Sequence, residues 1–329
     1  MQYTKIKGID REVSRVAFGC MSTVGSQTYP GVQDDDAIAT MRKAFELGIN
    51  FFDTARAYAD GESERQLGLA INGFRDEVVI ASKPKAGDLS EHEITSECEK
   101  SLKDLNIERI DLYQIHWPRR QVALEETAKA MERLVEQGKV GAVGVCNFGP
   151  LDLSEWLQSA SCASNQIAYS MIGRGAESGT QELCVEKGIG ILCYSPLGQG
   201  LLAGVYENAD SVPSGKARTR HFAGTRPEAR HGEPGFEDDT FAALDGIRRV
   251  ADRIGEPMGR VSLAWLLHQP AVASVLCGAS KPSQVERNAA AATLSLSAPD
   301  LAELDRATAT LKDKMGPSLD MWASPPRTR

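Results

Sequence analysis

The sequence predicts an α/β fold. It reads as a single (β/α)8 TIM barrel domain over residues 1–329, with an N-terminal β-hairpin, a long loop after strand 7 and extra C-terminal helices. Three observations predict it. Short apolar runs alternate with longer amphipathic segments down the whole chain. Eight such runs can be counted, each followed by at least one helical segment. The length, 329 residues, stands somewhat above the roughly 250 residues usual for such a barrel.

In order along the chain, Tyr3–Val13 reads as the hairpin, with Gly8, Ile9 and Asp10 as its turn. The barrel strands are expected at Val16–Phe18, Asn50–Phe52, Val78–Ser82, Ile110–Ile115, Ala142–Val145, Asn165–Ala168, Ile189–Tyr194 and Val272–Leu276. They are short, apolar on both faces and rich in Val and Ile, as strands buried in a parallel sheet must be. Between them lie segments of helical period. Asp34–Asp36 supply an N-cap and an acidic first turn, Ile38, Met41 and Phe45 share a face, and Gly48 ends the helix. Ile94, Cys98, Leu102 and Leu105 form a second stripe, and Leu124, Ala128, Met131 and Val135 a third, ended by Gly138. Phe241, Leu244, Ile247 and Ile254 form a fourth. Residues 204–239 break the rhythm and read as a long loop, which in a compact domain usually serves function. The rival fold, a doubly wound sheet, would carry a phosphate-binding G-x-G-x-x-G after its first strand. The segment there reads GCMSTVG and has none.

Bulk properties narrow the partners. Hydrophobic residues make up 42% and charged residues 25%, enough for a real core. The formal charge of -8 opposes binding to nucleic acid and to anionic membranes. No stretch approaches the roughly 20 apolar residues of a membrane span, and MQYTKIKGIDREV lacks the apolar centre of a signal peptide. Seven scattered cysteines, an odd number, suggest reduced buried thiols in the cytoplasm rather than a disulfide framework. With no CxxC pair and no spaced Cys/His cluster, no metal is expected.

Active sites of barrels sit at the C-terminal ends of the strands. Strand 2 runs into Asp53, with Tyr58 in the loop that follows. Strand 3 ends at Lys83 and strand 4 at His116-Trp117. Singly, an Asp caps a turn, a Tyr half-buries at the surface, a Lys is solvated and a His bonds to backbone. Together, at adjacent strand ends, they bring an acid, a phenol, an amine and an imidazole to one mouth. A phenol titrates near about pH 10, and a neighbouring ammonium is expected to lower that value.

The run GINFFDTARAYADGESERQLG (Gly48–Gly68) resembles the strand-two signature of the aldo-keto reductases. VVIASKP (Val78–Pro84) and IDLYQIHWP (Ile110–Pro118) resemble the family's lysine and histidine strands. GKVGAVGVCNF (Gly138–Phe148), SNQIAYS (Ser164–Ser170), ILCYSPLGQGLLAG (Ile191–Gly204) and VLCGASKPSQVERN (Val275–Asn288) follow in the family's order over nearly the whole chain. The set looks closest to the bacterial sugar and polyol branch and its channel β-subunit relatives.

The resemblance implies an NADP(H)-dependent oxidoreductase that interconverts a carbonyl and an alcohol, with NAD(H) as a possible cofactor and a small molecule, such as a sugar or polyol, as partner. It gives Tyr58 the role of general acid/base, Lys83 that of its cationic neighbour, Asp53 that of the lysine's partner and His116 that of a donor to the substrate oxygen. Asp53, Asn147 and Gln166 match positions around the nicotinamide carboxamide, and Tyr194 the aromatic under its ring. Ser195, Leu197 and Gln199 lie on the loop expected near the pyrophosphate, and Lys281 and the loop arginines Arg218 and Arg220 add charge suited to a phosphate. In the GASKPSQVERN segment, which opens at Gly278, Ser280 and Gln284 match positions that approach the 2′-phosphate, and Asn288 one near the adenine. Met21, Tyr58, His116 and Trp117 would line the substrate pocket, Met21 also touching cofactor. Three positions depart from the pattern: Cys146 for serine, Val205 for lysine and Arg287 for glutamate. The tail MGPSLDMWASPPRTR is either a frayed end or a flap over the mouth, its Asp320 and Trp322 suited to sugar hydroxyls and a ring face. Two other functions fit a barrel with these residues: a Schiff-base lyase using Lys83, and a cofactor-binding regulatory β-subunit. Oligomeric state is left open.

Overall fold

The structure, a computed structural model, describes residues 1–24, 32–85 and 87–329. A short antiparallel hairpin of β1 (Tyr3–Thr4) and β2 (Val13–Ser14) precedes the barrel. It falls where expected, but only two residues on each side pair. Eight parallel strands then close on themselves: β3 (Val16–Gly19), β4 (Phe51–Asp53), β5 (Val79–Ser82), β6 (Ile110–Ile115), β7 (Val140–Cys146), β8 (Ser164–Ala168), β9 (Gly190–Tyr194) and β10 (Val272–Gly278). Each strand pairs with its neighbour in sequence. The ring shuts where β10 meets β3, with Val275 opposite Val16 and Gly278 opposite Gly19.

The period of two along each strand divides the core in two. Ala17, Phe51, Val79, Ala81, Leu112, Ala142, Leu192 and Leu276 fill the barrel interior, and Ile6 and Val13 of the hairpin join them. The hairpin therefore stops the N-terminal end of the barrel. The alternate residues, among them Phe18, Phe52, Ile80, Tyr113, Val143 and Ile167, face the helices. Large and small side chains alternate inside the barrel, which is how a tapering interior is filled to crystal-like density.

The helices are α1 (Asp34–Glu46), α2 (Glu62–Ala70), α3 (Glu91–Leu105), α4 (Leu124–Glu136), α5 (Pro150–Trp156), α6 (Thr180–Lys187), α7 (Glu237–Ile254), α8 (Met258–Leu267), α9 (Pro282–Ala289) and α10 (Ala298–Met315). The expected stripes are present, turned by part of a residue. In α1 the buried face is Ala37, Thr40, Met41 and Ala44, and Ile38 and Phe45 flank it. Its first turn holds Asp34, Asp35 and Asp36, which complement the helix dipole. The cap position is Gln33 and no side chain bonds there. Gly48 and Gly138 follow their helices with φ of 83° and 73°, as left-handed stops require.

Residues 204–236 form the long loop, and it is far from a solvated tether. Thr219, Arg220, His221, Phe222 and His231 are buried in it, and the ring of His221 lies 2.8 Å from the Ile172 carbonyl oxygen through Nε2. Beyond α10 the tail crosses the barrel mouth. Arg220 donates its backbone N–H to the Met321 carbonyl (2.8 Å), the Trp322 ring stacks on Tyr194 at 5.6 Å, and the Arg329 oxygen accepts from the N–H groups of Leu151 and Asp152. Of the two readings the tail allowed, the structure takes the flap. No helix among the described residues is long and apolar enough to cross a membrane.

Candidate active site

Asp53 closes β4 and is 3% exposed. The Lys83 Nζ, fully buried one residue past β5, stands 2.8 Å from both Asp53 carboxylate oxygens and donates to the Thr54 carbonyl at 2.8 Å. The Gln166 amide donates to Asp53 Oδ1 at 2.7 Å and Gln114 reaches it at 3.5 Å. Burial works against the lysine's charge, but the Asp53 carboxylate and Tyr58 outweigh it, so Lys83 is held protonated above its ordinary range.

Tyr58 stands over this pair, with the Lys83 ammonium 5.2 Å from its ring centroid. The His116 ring meets it edge-on, 6.1 Å away at 79°. Burial pushes the Tyr58 phenol up to about 12, and Lys83 pulls it down without offsetting that rise. This corrects the expectation of a lowered phenol: the ammonium is already neutralised by Asp53, so desolvation wins. Burial, and then Lys83, push the His116 imidazole down to about 3, so the ring is neutral near pH 7. Cys146, in the serine position, is buried beside the same groups, and burial keeps its thiol protonated. All seven cysteines are free and buried.

The neighbouring polar residues belong to one network. Asn147, in a left-handed conformation with φ of 63°, donates to the His116 carbonyl (3.0 Å) and accepts from the Tyr194 hydroxyl (2.6 Å). Its backbone N–H bonds to the Gln166 carbonyl at 2.9 Å. Thus the quartet Asp53, Tyr58, Lys83 and His116 and the trio Asn147, Gln166 and Tyr194 converge. Met21 follows β3 at the rim, exposed, and Trp117 is half-buried beside His116.

The remaining predicted residues, Arg218 of the long loop apart, sit at or just past the ends of β9 and β10, which are paired. Ser195 and Gln199 hold positive φ, 50° and 56°, around the turn that includes Leu197. Gln284 Oε1 accepts from the Ser280 backbone at 2.7 Å, and the Asn288 amide donates to the Gly278 carbonyl at 3.4 Å. Lys281 is exposed just ahead of α9. Gln199 Oε1 and Arg218 Nε are buried without hydrogen-bond partners. Buried polar atoms are rarely orphaned, and an unpartnered guanidinium nitrogen suits an anionic group such as a pyrophosphate. Arg220 pairs with Glu233 at 2.8 Å and donates to the Met315 carbonyl at 3.1 Å, leaving its Nη1 without a partner.

Two features escaped sequence reasoning. Gln114 is a polar residue facing into an apolar strand, a signal that was there to be read. The other is the bonding of Asp320. Its carboxylate is wholly buried and bonded to Arg327 at 2.7 and 2.9 Å and to three backbone N–H groups. It cannot also bind sugar hydroxyls, which corrects the role expected for it.

The closed barrel gathers these titratable groups at the C-terminal ends of its strands, where barrel enzymes carry their active sites. The match to known proteins agrees in kind: the aldo/keto reductase family model covers residues 15–309. The chain belongs to that family of oxidoreductases. It is 31% identical to aldo-keto reductase YhdN of Bacillus subtilis over 99% of each chain. Among solved structures it resembles glycerol dehydrogenase AKR11B4 of Gluconobacter oxydans at a TM-score of 0.81, with 28% identity over 94% of this chain and 95% of that one. It also resembles a Klebsiella pneumoniae aldo/keto reductase, in complex with NADP and acetate, at a TM-score of 0.75, with 28% identity over 97% and 99% of the two chains.

Proposed function

We propose that the protein reduces the carbonyl of a small molecule, an aldehyde, ketone or sugar, to the alcohol, and runs the reverse oxidation, with NADP(H) as its cofactor. The observation that carries this reading is the buried Lys83–Asp53 ion pair beneath a protonated Tyr58, beside a neutral His116. When bound, the nicotinamide supplies or accepts a hydride at the carbonyl carbon. Tyr58 gives its proton to the carbonyl oxygen, and Lys83 stabilises the phenolate left behind. Asp53 holds the lysine in place. His116, being neutral, offers an N–H to the same oxygen as charge builds there. Asn147 and Gln166 would hold the carboxamide and Tyr194 would underlie the ring. Arg218 and Gln199 suit the pyrophosphate, and Ser280, Lys281, Gln284 and Asn288 the 2′-phosphate end. Val205, where lysine is usual, leaves NAD(H) as a weaker second cofactor.

A Schiff-base route is disfavoured because it needs a neutral amine, and Lys83 is held charged by Asp53. The test is titration with NADPH and NADH, followed by tryptophan quenching, on wild type and Ser280→Asp, then assay on aldehydes, sugars and polyols. NADPH should bind more tightly and lose affinity selectively in Ser280→Asp. Tyr58→Phe should lose about 10²- to 10⁴-fold in kcat. Binding of neither nucleotide would sink the reading.

A further inference from the structure

Besides Trp322 on Tyr194, the tail meets the site through Arg327 on Trp117. Arg327 uses Nε and Nη2 on the two oxygens of Asp320, at 2.7 and 2.9 Å, and lays its guanidinium on the Trp117 indole, 3.7 Å from the ring centroid. Trp117 is the residue after His116. Asp320 is 0% exposed, and its oxygens also accept from the backbone of Trp322, Ala323 and Arg327. It is therefore an immobile anchor. A guanidinium held in that plane fixes the orientation of whatever ring it stacks on.

We infer that Arg327 is a positioning residue for this site: pinned by Asp320, it holds the Trp117 indole as a fixed wall beside His116 and so sets how well bulky substrates are held. The inference rests on the reading of the mouth as a carbonyl-reducing site. Arg327 touches no reacting atom, so its loss acts on substrate binding and leaves the proton-transfer residues in place. The wall matters for ring-bearing carbonyl compounds and little for short aldehydes that do not reach the indole.

The experiment is a double-mutant cycle of Arg327→Gln and Trp117→Leu, assayed with benzaldehyde and with propionaldehyde. In Arg327→Gln the KM for benzaldehyde should rise about fivefold, the size one exposed cation–π contact supports, while kcat for both substrates and the KM for propionaldehyde stay within about twofold. In the Trp117→Leu background the same change should have no further effect. Arg327→Lys should fail to restore the KM, since an ammonium cannot both fork onto Asp320 and stack. Equal losses on both substrates, or the full loss persisting without Trp117, would overturn the inference. Acrylamide quenching of tryptophan fluorescence, read in a Trp322→Phe background, gives a readout free of turnover, because the other two tryptophans, Trp156 and Trp265, are fully buried. Quenching should increase in Arg327→Gln, and not in Arg327→Gln made on Trp117→Leu. If wild type reduces neither substrate, the reductase reading fails and the quenching comparison alone decides the placement of Trp117. Should Arg327→Gln fail to fold, Arg327→Lys carries the same comparison.

Discussion

The Asp53 carboxylate takes hydrogen bonds from Lys83 and Gln166 while almost wholly shielded from water. Removing one member of a buried ion pair costs far more than the pair contributes, because the other charge is left uncompensated. Asp53→Asn should therefore lower unfolding free energy by about 3–5 kcal/mol, read from urea denaturation, besides abolishing reduction. A loss below about 1 kcal/mol would mean that Lys83 finds another partner. At this scale the sequence was informative about which residues gather and poor on how they titrate. Asp53, Lys83 and His116 stand at strand ends and Tyr58 in the turn after one, and strand ends are legible from apolar runs. The sign of the Tyr58 shift depends on burial depth and on Asp53 having already neutralised Lys83, neither of which is local in sequence. The Asp320–Arg327 pair was hidden for a related reason: a seven-residue separation in a Pro-rich tail has no period to betray it.

Helices and loops answer to contacts that no local pattern records. Gly68 of α2 lies against the end of α3, and a Cβ there would stand 2.4 Å from the Leu105 carbonyl oxygen. Gly68→Ala should push the two helices apart and destabilise the protein by about 1–3 kcal/mol, as overpacking does, although alanine is the better helix former. A raised melting temperature would refute that close approach. The long loop carries its own pH dependence. Burial lowers the His221 imidazole from the usual 6.5 to about 4. Between those values the unfolded chain binds the proton and the folded chain does not, so the contribution is complete above pH 6.5 and is lost as pH falls toward 4. Urea midpoints should drop between pH 7 and pH 5, and drop less in His221→Gln. The loop itself was visible in sequence as a break in period. Its burial was not, since Gly, Pro, Arg and His usually signal solvent.

The whole molecule is a ring, and its first barrel strand waits for its last. β3 pairs with β10, and beside that seam Arg15 donates to the Val272 carbonyl across 257 residues of sequence. Until β10 arrives, any partly built sheet has two open margins, on β3 and on the last strand laid down, each lined with unpaired backbone donors and acceptors. Two such margins on different molecules can pair as readily as two on one, and contacts so distant in sequence form slowly. Refolding from urea should therefore be slow, and its yield should fall as protein is raised from about 0.1 to 10 μM, as light scattering and recovered reductase activity would report. The closed ring that makes the folded protein resistant to sticking edge to edge is, for the same reason, the stage at which an unfinished chain is most exposed to doing so.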